Sequence, residues 1–142
     1  MILRPLIAFV FGCVLAGCAT SPVKLEKAQD VPTNRRLSGF RFLAAPSKDA
    51  AKIIVVRDSG VLGFAAKAKL LVDGAPIATF VPGERLTFYL RRGDHILAVV
   101  PQPQLMGALT ENSFSISQGR DYYFRISISE TSFKIQPTTQ VQ

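Results

Sequence analysis

The amino-acid sequence predicts an all-β fold, a single antiparallel β-sandwich of about seven to eight strands over residues 51–137. Two observations carry this. From Lys52 onward the apolar runs are of strand rather than helix length, and they recur every eight to twelve residues between clusters of Gly, Pro, Asp and Ser. A third observation limits the rest: with 142 residues the chain has room for one such core and a tail, but not for two ordinary domains.

The N-terminal residues read as an export signal. Arg4 supplies a positive start, and the stretch from Leu6 to Leu15 is almost wholly apolar. It is shorter than the roughly 20 apolar residues a spanning helix needs, and it ends at small residues followed by Thr20, Ser21 and Pro22. The closing box Leu15-Ala16-Gly17-Cys18 resembles the bacterial lipoprotein signal. That resemblance implies removal of residues 1–17, diacylglycerol on the Cys18 thiol and an acyl chain, such as palmitate, on the new amine. Each buried methylene contributes about 0.8 kcal/mol, so several chains hold firmly. Ala19 stands where an aspartate would resemble an inner-membrane retention signal, so the expected address is the outer membrane, facing the periplasm. Cys13 lies within the apolar run. With no further cysteine in the chain, no disulfide can staple the domain.

Residues 18–50 are polar and punctuated by Pro22, Pro32 and Pro46, which predicts a lipidated N-terminus and a flexible tether. Phe40 and Phe42 alternate with Arg41 and predict a short strand at the domain edge. Ile53 to Val56 form a β-branched run of the kind found in buried strands. Residues 61–71 contain helix formers such as Ala65, Ala66 and Ala68, so a short helix competes with a strand there. Asp73-Gly74 favours the strand, because it supplies the positive backbone dihedral of a tight hairpin. Leu86, Phe88 and Leu90 point one way while Thr87, Tyr89 and Arg91 point the other. A strand from His95 to Val100 is expected to stop at Pro101. Phe114 and Ile116 alternate with serines, Gln118-Gly119 turns, and Tyr122, Phe124, Ile126 and Ile128 give the cleanest alternation. Phe133 and Ile135 predict a closing strand before a polar tail, residues 138–142.

The succession over residues 51–129 resembles the DUF2846-type domain of small bacterial lipoproteins. The residues that carry it are Ile53 to Arg57, Leu71-Val72-Asp73-Gly74 with Ile77-Ala78, Arg92-Gly93-Asp94-His95, and Gln118-Gly119-Arg120-Asp121-Tyr122-Tyr123. These turn-and-strand patterns are shared with PEGA-like and transthyretin-like sandwiches. The resemblance implies a β-sandwich and assigns no reaction.

The chemistry-bearing motifs point the same way. There is no G-x-S-x-G elbow, phosphate-cradling glycine loop, Cys-x-x-Cys pair or HExxH stretch, and His95 is the only histidine. The expectation is a non-enzymatic protein, with no catalytic residue, metal or cofactor assigned. Net charge is +7, and +6 without residues 1–17, which favours anionic surfaces. An exported chain is not expected to meet nucleic acid. Tyr89 with Arg91, and Tyr123 with Arg125, share strand faces by parity and form the candidate binding face. The function expected is a membrane-anchored envelope lipoprotein acting as an interaction or structural module, its partners being lipid through Cys18 and an envelope protein. The alternative is a module that binds glycan or peptidoglycan.

Overall fold

The computed structural model describes residues 20–60, 65–117, 120–129 and 132–139. The box ending at Cys18, residues 61–64 and the Gln118-Gly119 turn lie outside them. Nine strands occur among the described residues: β1 (Gln29–Asp30), β2 (Ala50–Arg57), β3 (Lys67–Val72), β4 (Ala75–Phe80), β5 (Glu84–Arg91), β6 (Gly93–Gln102), β7 (Thr110–Ile116), β8 (Tyr122–Ser129) and β9 (Ser132–Pro137). They form two sheets, one ordered β1-β5-β2-β8-β9 and the other β4-β3-β6-β7. The all-β sandwich is as the sequence predicts. Strand direction differs in part, since β1 runs parallel to β5 and β2 parallel to β8. Alternation assigns a side chain to a face and carries no information about direction.

The core lies between the sheets. Ile53 and Val55 of β2, Leu86 and Phe88 of β5 and Phe124 and Ile126 of β8 meet Leu70, Ile77, Leu97 and Val99 of the smaller sheet. Their parity is the one expected from the sequence. β2 sits at the centre of its sheet and is buried on both faces. Ile54 and Val56 point outward, yet they are covered by Ala28, Val23 and Leu25. That is why this strand reads as a continuous apolar run instead of alternating.

The covering segment is residues 20–50, and here the structure corrects the tether expectation. The segment lies across the sandwich as a strap, with 3-10 turns at Leu25–Lys27, Thr33–Arg35 and Ser38–Phe42. Val31 is fully buried and its N–H donates to the Arg85 carbonyl at 2.9 Å. Ala44 N–H donates to the Tyr89 carbonyl at 3.1 Å. Gly39 packs so closely that a Cβ there would stand 2.6 Å from the Pro76 carbonyl oxygen. Polar composition concealed this, because a few apolar anchors and backbone bonds to sheet edges suffice to hold a strap. Phe40 and Phe42 form no strand. They belong to the turn Ser38–Phe42, where Phe40 packs on the core and Phe42 is 80% exposed.

Residues 67–71 belong to β3, so the strand reading holds for them, and no helix forms there. Asp73 and Gly74 have φ of 48° and 80°, the pair of positive values that joins β3 to β4 by a two-residue turn. β4 starts earlier than expected and contains Pro76, which its position at the sheet edge tolerates. β6 continues through Pro101 to Gln102 because β7 pairs with it no farther than Val99, leaving one side of Pro101 without a ladder to supply.

Candidate functional site

The outward face of the larger sheet carries the predicted binding residues in two groups. Register places Arg91 beside Ala50, Tyr89 beside Lys52, and Tyr123 beside Ile54. Tyr89, Tyr123 and Lys52 cluster there: the Lys52 ammonium lies 2.8 Å from an Asp121 carboxylate oxygen and is held above its ordinary pKa, first by that hydrogen bond and charge, with smaller contributions from both tyrosines. The Tyr123 hydroxyl also donates to Asp121 at 3.4 Å. Next to this cluster, Arg120 lies over the Tyr122 ring at 4.9 Å, and hydrogen bonding from Arg120 lowers the Tyr122 phenol pKa.

Arg125 is a correction to that face. It shares the predicted parity but lies beneath the strap, 5% exposed, and its guanidinium is bonded to Asp58. Asp58 is itself buried. Burial raises its carboxyl above the ordinary 3.8, opposed by Arg125 and by a backbone hydrogen bond from Val23. The candidate face therefore reduces to Tyr89, Arg91 and Tyr123 with Lys52.

Two further buried ionic groups went unrecognised in the sequence. Arg57 is wholly buried between the sheets, donates to the Phe80 carbonyl at 2.8 Å and lies 5.3 Å from the Phe133 ring centre. Burial lowers its pKa to about 10, while the Glu84 charge opposes the shift, so the group stays cationic near neutrality. Glu84 takes two bonds from Arg35, one of 2.7 Å, and another from Val81 N–H at 2.8 Å. Arg57 was foreseeable, since it falls in phase with inward-facing Ile53 and Val55. Asp58 was not, because an aspartate before Ser59-Gly60 reads as an ordinary turn residue.

His95 has both ring nitrogens engaged: Nδ1 lies 2.7 Å from Asp73 Oδ2 and Nε2 lies 2.8 Å from the Arg91 carbonyl. Both partners are acceptors. The ring borders an open groove of about 400 Å³ with Phe42, Leu43, Ala44 and Leu90. Its role is to join the β3–β4 turn to the start of β6. Among the described residues no three His, Cys, Asp or Glu side chains gather as a metal site, and no helix is long and apolar enough to cross a membrane. No protein-family model and no curated protein matches the chain.

Proposed function

We propose that this chain is an outer-membrane lipoprotein, acylated on Cys18 and facing the periplasm, whose β-sandwich serves as a non-catalytic interaction or structural module of the envelope. The observation that carries the reading is Leu15-Ala16-Gly17-Cys18 at the close of an apolar run with a basic start. The DUF2846-type resemblance supports the same class. Cys18→Ser is expected to move the protein from the membrane to the soluble fraction and to remove the lipid mass from its N-terminal peptide. Unchanged fractionation would refute the anchor.

A second reading, binding of glycan or peptidoglycan strands, is favoured by one observation: Tyr89, Tyr123, Lys52 and Arg91 share one solvent-facing sheet surface. Aromatic faces beside cations suit sugar rings bearing carboxylates. Co-sedimentation with purified peptidoglycan that falls on Arg91→Ala and Tyr123→Ala would support it; pelleting unaffected by both substitutions would count against it.

A further inference from the structure

The strap brings Thr20, its first described residue, to one pole of the sandwich, and the same pole carries a cluster of exposed apolar side chains. The Thr20 side chain meets the β8–β9 hairpin at Ile128, accepting from its N–H at 3.4 Å. Ser21 N–H donates to the Ser59 carbonyl at 2.6 Å. Ile128 pairs with Phe133, whose carbonyl accepts from the Thr110 hydroxyl at 2.9 Å. Thr20 and Thr110 thus grip the two partners of one register pair of that hairpin. Thr110 opens β7 and closes the loop after β6, residues 103–109. In that loop Leu105 is 97%, Met106 42% and Leu109 47% exposed, more than half of the large exposed hydrophobics among the described residues.

The proposed acylation of Cys18 supplies an occupant for this loop. Only Ala19 separates it from Thr20, two chain steps with a reach of at most about 7 Å. An acyl group on Cys18 would draw the pole carrying Leu105 against the bilayer. Exposed Lys67, in register with Gln102 at the foot of the loop, and exposed Lys134, next to Phe133, suit anionic head groups, while Glu111 partly offsets them. Leucine and methionine beside lysine are the side chains that enter a membrane interface with cations at the head-group level.

We propose that this pole is a membrane-docking surface: Leu105, Met106 and Leu109 insert into the interface of the bilayer that holds Cys18, so the domain lies on the membrane instead of hanging from a long tether. The proposal rests on the acylated Cys18 of the preceding reading, and the test separates the two.

The chain contains no tryptophan, so a single one reports its own surroundings. Leu105→Trp is placed in the loop, and Phe42→Trp, at another exposed site, lines the groove beside Arg91 and His95 at the opposite end. Each full-length protein is purified from membranes, its mass is read for lipid at Cys18, and it is reconstituted into phosphatidylethanolamine–phosphatidylglycerol vesicles with and without brominated acyl chains. The expected result is a blue-shifted emission for the tryptophan at 105 that loses most of its intensity to brominated lipid, with the tryptophan at 42 remaining at its aqueous wavelength and unquenched. Equal quenching at both sites, or none at 105, overturns the docking surface. If the mass shows no lipid, the anchor reading fails by itself. Docking is then read from Cys13→Ser protein coupled through its Cys18 thiol to maleimide lipid, with the same two outcomes. Shielding of position 105 in intact cells but not in these vesicles would assign the loop to a protein partner and overturn the lipid proposal.

Discussion

The buried charges set the behaviour of individual residues. Asp58 and Arg125 are 4% and 5% exposed, so each depends on the other for the solvation it lost on folding. Arg125→Ala is expected to cost about 3–5 kcal/mol of unfolding free energy, because Asp58 loses its principal cation. The pH dependence has a definite sign. Since the folded Asp58 carboxyl is raised, folded chains bind a proton there that unfolded chains have released at pH values just above about 4. Its contribution therefore grows as pH falls from neutrality and is complete below the unfolded value. Urea titrations should show the stability difference, wild type minus Asp58→Asn, becoming more positive between neutral pH and about pH 4. A constant difference would contradict the assignment. The Arg57 shift bears on no physiological range, because at about 10 it leaves the guanidinium charged.

Among the elements, the strap matters most, because it turns a polar leader into part of the fold. It caps the outer face of β2 through Ala28, pairs β1 with β5, and locks onto Glu84 through Arg35. Val31→Ala removes two methyl carbons from a fully buried site and is expected to cost about 2 kcal/mol in a denaturant titration. Glu84→Gln should release the strap more selectively. Trypsin cleavage after Arg35 and Arg36 is expected to be slow in the wild type and faster in the variant, read by mass of the fragments. Rapid cleavage of the wild type would restore the free-tether picture. The same element accounts for the character of β2, whose outward Ile54 and Val56 would be unusual on a bare sheet face.

For the whole molecule, strap and sandwich are expected to unfold together. Tyrosine emission from the sheets and proteolytic release of the strap should share one denaturant midpoint, as for a two-state domain. A reductant should leave that midpoint unchanged, since both cysteines fall within the first eighteen residues and none lies in the sandwich. The two ends of the sandwich differ in chemistry. One bears Thr20, the apolar loop and lysines. The other bears Arg91, the His95–Asp73 bridge and, on the adjoining sheet face, Tyr89 and Tyr123. Under the proposed docking of the first end on a membrane, the second would face away from it and present the candidate partner surface.

Most of the strands were legible because a half-buried sheet imposes a period of two on side chains, and residues such as Leu86, Phe88 and Leu90 or Phe124 and Ile126 record it directly. The Asp73-Gly74 hairpin was legible because few residue pairs accept two positive φ values. The proposed address at Cys18 rests on a linear motif alone, and Cys18 lies outside the described residues. Tertiary structure decided the rest. Strand direction, the strap and the pairing of Asp58 with Arg125 depend on contacts between residues distant in the chain, and a local pattern holds no record of which distant neighbour will cover it. Arg125 shows the difference most plainly: its parity assigned the correct face of the sheet, and only the strap lying over that face made it a buried ion pair instead of an exposed binding residue.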